Sequence, residues 1–289
     1  MINQSYSILA IEAASFYNFV HAEDLMLQKI MSMDPKIMAG YDDDDDDEEE
    51  KISRLLQMHE GVAVISIDGM LTNSNSWINR WFGMVSYDEI RIACLQAIDQ
   101  GAKAALFRIS SPGGNVEGLA DTANLISNMP METIAFTSSR MMSAAYFLGS
   151  QCDNLYCDSF ADVGSIGVII KLYDRSGMLA DMKVKPMRFR SGPLKATGDG
   201  DFKLSAEEMK YIQEKVTITA NKFFDIVSEA RGMPREVLDK LEITSGRTYI
   251  GEEALGVNLV DSIKTFDESM LKAYDIVKKV DNSNNTRLF

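Results

Sequence analysis

Three short stretches of this chain carry residue types that could do acyl chemistry. The apolar run Ala104 to Ser110 ends in Ser111-Pro112-Gly113-Gly114, where the glycines let backbone N–H groups approach a ligand closely. A second apolar run, Thr133 to Ser138, leads into Ser139-Arg140-Met141-Met142-Ser143-Ala144-Ala145-Tyr146 and puts Ser143 where a strand turns into a helix. A serine hydroxyl is a poor nucleophile unless a neighbouring group takes its proton. The chain has 2 histidines, His21 and His59, both ahead of the first strand of the folded region, which argues against a Ser-His-Asp triad. Lys195, in the Gly/Pro-punctuated loop Ser191-Gly192-Pro193-Leu194-Lys195-Ala196-Thr197-Gly198, suits a Ser-Lys dyad better.

A lysine base has a stated cost. At about pH 7.4 roughly one free lysine in a thousand is neutral, so a useful base needs its pKa lowered by about 3 units, or about 4 kcal/mol. Burial supplies such shifts. The sequence therefore predicts a Lys195 that is largely desolvated, has no carboxylate partner and is held by a hydroxyl. Ser165, in Val163-Gly164-Ser165-Ile166-Gly167-Val168, is the candidate for that hydroxyl. Ser111, Ser138 and Ser139 are rival nucleophiles, and Lys171, Lys183 and Lys185 are alternative bases.

These residues need elements to hold them. The patterning predicts strands at Val62 to Leu71, Ala104 to Ser110, Thr133 to Ser138 and Asn154 to Asp158, with a strand-like Val184 to Arg190. It predicts helices at Tyr87 to Gln100 with Ser86 as N-cap, Gly118 to Asn128, Ser143 to Gln151, and Ser205 to Ala230 with Ser205 as cap. Alternating strands and helices imply an α/β fold with a parallel sheet covered on both faces and catalytic groups gathered at strand ends. Apolar spacing in Ser5 to Met38 predicts two short helices. The expected organisation is a helical extension at 1–40, an acidic linker at 41–60, a catalytic domain at 61–265, and a C-terminal helix with a frayed tail at 266–289.

Composition excludes several classes. With 46% hydrophobic residues the chain can bury a full core. Nine of its net −14 charges lie in the unbroken run Asp42 to Glu50, leaving −5 for the rest. That leaves no basic footprint for nucleic acid. The run reads as a solvated spacer, or else as an acidic tether for a basic region of a partner. Cys94, Cys152 and Cys157 have spacings suited to neither zinc nor a disulfide framework and read as buried thiols in a reducing compartment. No run reaches the length of a membrane span and the first residues lack a basic signal-peptide region, so a soluble cytoplasmic protein without membrane contact is expected.

Taken in order, Ser111-Pro112-Gly113-Gly114, Ser143-Ala144-Ala145-Tyr146, Gly164-Ser165-Ile166-Gly167-Val168, Lys195, Ser245-Gly246-Arg247-Thr248-Tyr249 and Ala254-Leu255-Gly256-Val257-Asn258-Leu259-Val260-Asp261 resemble the S49 serine peptidases, from about Val62 to Ile263. That family includes signal peptide peptidase A, protease IV and phage capsid-maturation proteases. The resemblance implies a ClpP/crotonase-like ββα superhelix, Ser143 as nucleophile, Lys195 as general base, and an oxyanion hole from the N–H groups of Gly114 and Ala144, supported by Gly113. It implies a protein or peptide substrate, no cofactor and no metal, and assembly into a homo-oligomer. Where many signal-peptide-peptidase relatives have two glycines after the nucleophile, this chain has Ala144 and Ala145, which favours the phage branch and a capsid or scaffold substrate, in the host cytoplasm or the prohead. A cytoplasmic signal-peptide-peptidase-like protease, a catalytically silent scaffold and a crotonase-like acyl-CoA enzyme are the alternatives.

Overall fold

The computed structural model describes residues 9–11 and 53–286. The first half of the chain runs β1 (Leu9–Ile11), β2 (Leu56–His59), β3 (Val62–Asp68), β4 (Leu71–Thr72), α1 (Trp77–Trp81), β5 (Val85–Ser86), α2 (Tyr87–Asp99), β6 (Ala104–Ser110), β7 (Gly113–Asn115) and α3 (Leu119–Ser127). Next come β8 (Glu132–Thr137), β9 (Arg140–Met142), α4 (Ala144–Gly149), β10 (Asn154–Cys157), β11 (Asp162–Gly164) and α5 (Ser176–Asp181). The C-terminal part holds α6 (Ala206–Ala230), α7 (Arg235–Lys240), β12 (Thr248–Ile250), α8 (Glu252–Gly256), β13 (Ser262–Ile263) and α9 (Phe266–Thr286).

A six-stranded sheet in the order β13-β10-β8-β6-β3-β2 forms the body, parallel except where β2 turns back on β3. Both of its faces are buried, as parallel sheets require, and the period-two alternation of each strand decides what goes where. Val62 and Val64 of β3, with Leu106 and Phe136, pack under Ala273, Ile276 and Val277 of α9. Ala63, Ile65 and Ile67 point the other way, into the main core with Ile90, Ala93 and Ala97 of α2 and the apolar residues of α4. Helix α2 starts at a capping box in which Ser86 Oγ accepts from the Glu89 N–H and Glu89 reaches back to the Ser86 N–H. Ser205 and Glu208 repeat that device at α6.

Two smaller sheets sit at the ends of the body strands: β12-β11-β9, and β1-β7-β4-β5. The chain passes from large sheet to small one at Gly69, so the single strand expected over Val62 to Leu71 is broken into β3 and β4. Gly69 has φ +113°, and a Cβ there would collide with the Gly83 carbonyl.

Other expectations need correction. Leu9–Ile11, inside the stretch expected to be helical, is a strand, because the edge of β7 offers backbone partners that a helix would leave unused. The rest of that stretch and the acidic run Asp42 to Glu50 lie outside the described residues. Val184 to Arg190 is not a strand; it runs exposed with no neighbouring strand to complete a ladder. The expected frayed tail is helical as far as Thr286, and Asp281 is held by an ion pair with Lys103.

Ile65 is fully buried at the centre of the body sheet, whereas Ile218 on α6 is 59% exposed. Ile65→Ala should lower the unfolding free energy by about 2–5 kcal/mol. Ile218→Ala should change it by less than about 0.5 kcal/mol, with urea denaturation of both variants as the measurement.

Candidate active site

Ser143 follows β9, which pairs in parallel with β11. Its N–H continues that ladder by donating to the Gly164 carbonyl at 2.7 Å, and its carbonyl accepts from the Phe147 N–H at 2.9 Å to start α4. Its backbone is bent to φ 52°, ψ −119°, a conformation that L-residues adopt rarely and at a cost of about 1–3 kcal/mol. Nothing about helix capping requires this, since the Ser143 side chain makes no cap hydrogen bond. Its Oγ instead donates to the Gly167 carbonyl at 3.3 Å. The surroundings that hold the bend are packed: Ala144, Ala145 and Tyr146 are fully buried, and the Tyr146 hydroxyl donates to the Leu259 carbonyl at 2.9 Å.

The glycine pair is fixed beside this turn by the backbone. Ser111 N–H donates to Arg140 O at 2.9 Å and Met142 N–H to Ser111 O at 3.1 Å, so the end of β6 is stitched to the strand that delivers Ser143. Ser111 is completely buried, and its Oγ accepts from the Gly113 N–H at 3.2 Å. That gives Ser111 a structural duty and occupies one of the two glycine donors. Gly114 lies against Leu71 of β4, so closely that any Cβ would collide with the Leu71 carbonyl. Tyr87 steadies the far end of β7 by donating its hydroxyl to Asn115 O at 2.5 Å. Ala144 is the first residue of α4, where a helix leaves its N–H groups without an intrahelical partner. A strand glycine and a helix start flanking one hydroxyl are suited to stabilising an oxyanion.

Ser165 is buried, has φ 51°, and its N–H donates to Arg247 O at 2.9 Å. The structure thus brings together Ser143, Gly113, Gly114, Ala144 and Ser165. Lys195 does not join them through any hydrogen bond or ion pair among the described residues, and its side chain is exposed in the single chain, as are Lys171, Lys183 and Lys185. The expected desolvation of Lys195 is therefore absent here. The physical reason is its setting: residues 191–204 form neither helix nor strand and run over the surface, with Thr197 their one buried residue.

That loop is nonetheless anchored. Arg188 pairs with Asp199 at 2.5 Å, and Arg190 with Glu208 at 2.8 Å at the start of α6. The Glu208 carboxyl is held below its ordinary value by the Ser205 N–H and by Arg190, against the opposing effect of burial. Glu208 ties the Lys195 loop to α6 only through arginines 18 and 20 residues earlier in the chain, a pairing that no local sequence pattern signals. The Gly167 carbonyl was within a recognised motif, but no side-chain signal marks a backbone acceptor. Asp261, at the end of another recognised motif, holds β10 by accepting from Leu155 N–H at 2.7 Å while pairing with Arg231 at 2.6 Å.

Cys94, Cys152 and Cys157 are buried and unpaired, and burial pushes the Cys94 and Cys157 thiols up to about 12, which leaves them without thiolate character at neutral pH. Among the described residues no cluster of His, Cys, Asp or Glu could hold a metal ion, and no helix is long and apolar enough to cross a membrane.

A protein-family model described as peptidase family S49 matches residues 127–281, a span that includes Ser143 and Lys195 and begins after the glycine pair. The chain is 30% identical over 175 residues to a putative signal peptide peptidase SppA of Enterococcus faecium, covering 60% of this chain and 50% of the relative. It is 26% identical to the head-tail preconnector protein GP5 of Enterobacteria phage P21, over 82% of this chain and 47% of the relative. It is 28% identical to the capsid assembly protease C of Escherichia phage lambda, over 73% of this chain and 48% of the relative. The chain thus spans about half the length of these relatives.

Two outcomes are expected from this geometry. Ser111→Ala should keep acylation of Ser143 within about tenfold of wild type, since Ser111 only orients a backbone N–H; labelling by a serine-directed acylating probe measures it. A carboxyl whose pKa is lowered in the folded state stabilises above its unfolded value and stops doing so as pH falls through the folded one. The melting temperature of the wild type should accordingly fall more steeply than that of Glu208→Gln between about pH 5 and pH 3.

Proposed function

The chain belongs to peptidase family S49, whose ClpP-like fold the mixed α/β architecture matches, and from that premise we propose that it is a serine endopeptidase with a Ser143-Lys195 dyad. The observation that carries this reading is the backbone of Ser143: a positive φ at a strand-to-helix turn, with the hydroxyl turned away from its capping role. Lys195 takes the Ser143 proton as Oγ bonds to the carbonyl carbon of the substrate. The charge that develops on the carbonyl oxygen is met by the N–H groups of Gly114 and Ala144, which stabilise the transition state more than the ground state. The proton then passes to the leaving amine as the C–N bond breaks, and a water deprotonated by Lys195 hydrolyses the acyl-enzyme. Ser165 would orient the Lys195 amine.

Lys195 is exposed, and the role of base calls for burial, so the active form needs a cover over its loop. The same excursion of the chain displays Met187 at 82% and Phe189 at 93% exposure, apolar surface of the kind that a second copy would bury. Homo-oligomerisation is the cover we favour.

The substrate reading is a phage or prophage capsid or scaffold protein, cleaved during maturation in the host cytoplasm or the prohead. The support is coverage: the preconnector protein and the capsid assembly protease align with 82% and 73% of this chain, against 60% for the signal peptide peptidase. The second reading, a signal-peptide-peptidase-like protease acting on other polypeptides, is favoured by the 30% identity to that relative.

Mass spectrometry after incubation with a serine-directed acylating probe and a candidate capsid or scaffold protein tests the dyad. Adduct on Ser143 and substrate cleavage are both expected, lost in Ser143→Ala and reduced at least about 100-fold in Lys195→Ala. Cleavage that survives Ser143→Ala would falsify the dyad, and absence of adduct and cleavage would favour a silent scaffold.

A further inference from the structure

Strand β7 has two edges. One is taken by β4, through Leu71 opposite Gly114. The other is taken by the chain's own β1, antiparallel, with Leu9 opposite Asn115, Ala10 opposite Gly114 and Ile11 opposite Gly113. The Gly113 end of β7 lies close to the nucleophile, since Ser111, two residues earlier, bridges Met141, two residues before Ser143. Strand β1 therefore enters at the distal end and runs toward Ser143, with its main chain on the strand that carries Gly114.

Extended peptides bind by adding a strand to an open sheet edge, with main-chain hydrogen bonds supplying affinity. A substrate that brings its carbonyl oxygen to the Gly114 N–H needs an edge of β7, and β4 is part of the fold. One edge cannot pair with two chains. We propose that Leu9–Ile11 is the intramolecular occupant of the peptide-binding edge, so that the chain's own N-terminal segment competes with substrate for β7. This rests on the reading of Ser143 as nucleophile and Gly114 as oxyanion donor. The pairing spans three residues on each side, a short ladder of the kind that opens locally at small cost, so it acts as a competitor that substrate displaces and not as a permanent block. Because the segment is covalently attached, its effective concentration at β7 does not depend on protein concentration.

The test compares full-length wild type with Ala10→Pro and with Leu9→Pro/Ile11→Pro, which between them remove the N–H donors on both edges of β1. Two probes are used: a small fluorophosphonate that reports only on Ser143, and a tetrapeptidyl phosphonate that must also pair with β7. Amide hydrogen exchange at Gly113–Asn115 is followed in parallel. The small probe should label all three proteins at the same rate, while the peptidyl probe labels at least one proline variant about tenfold faster than wild type, with faster exchange at Gly113–Asn115. Equal peptidyl rates and equal exchange in all three proteins overturn the proposal. Peptidyl labelling of wild type that accelerates on dilution also overturns it, since the occupant would then be a second copy. If the small probe fails to label Ser143 in any protein, the nucleophile reading is at fault, and exchange still decides occupancy: faster in the proline variants supports it, unchanged refutes it.

Discussion

Everything at this site depends on one constraint, a ladder of backbone hydrogen bonds that ties three strand ends together. Ser111 is bonded to Arg140 and Met142, Ser143 to Gly164, and Ser165 to Arg247. Each of these strand ends then departs into an unusual backbone conformation, at Gly113, Ser143 and Ser165, all with positive φ. Glycine takes such a bend freely, but at Ser143 and Ser165, which carry a Cβ, it is unfavourable. The bends persist because the ladder and the fully buried residues around it leave no room to relax. The backbone bend at Ser143, and the stitching of the Ser111 to Gly114 segment to the strand before it, are thus consequences of sheet pairing, with the buried residues of α4 packed against them.

Much of this was legible in the sequence. The strand Ala104–Ser110 and the helix after Ser86 follow from alternation and capping chemistry, and the structure has them with boundaries moved by at most a residue or so. The Gly113-Gly114 pair marks a turn because glycine is unfavourable inside a strand or helix, and Ser143 stands out only by its place between an apolar run and a helical pattern. Less legible was whatever depends on partners remote in sequence. The apolar spacing of Ser5 to Met38 favours a helix, but at Leu9–Ile11 a free strand edge more than 100 residues away decides otherwise. The break at Gly69 needed knowledge that the Gly83 carbonyl would lie against it. Val184 to Arg190 has strand-like composition and no neighbour to pair with.

Lys195 shows the limit most clearly. Its loop was recognisable from glycine and proline, and its anchoring by Arg188, Arg190 and Glu208 explains how a surface segment keeps its course. Desolvation, however, is a property of what lies above a residue, and a single chain does not supply it. The exposed Met187 and Phe189, a few residues earlier in the chain, make the same point from the other side: they are apolar groups that burial would stabilise.

The central claim is that Ser143 attacks a carbonyl whose oxygen is received by Gly114 and Ala144. A crystal structure of the protein after reaction with a peptidyl phosphonate tests it most directly. The expected result is a covalent bond from Ser143 Oγ to phosphorus, with the phosphoryl oxygen within about 3 Å of both N–H groups, the reach of an oxyanion-hole donor. A phosphonate bonded to another residue, or one on Ser143 with its oxygen turned away from both N–H groups, would contradict it.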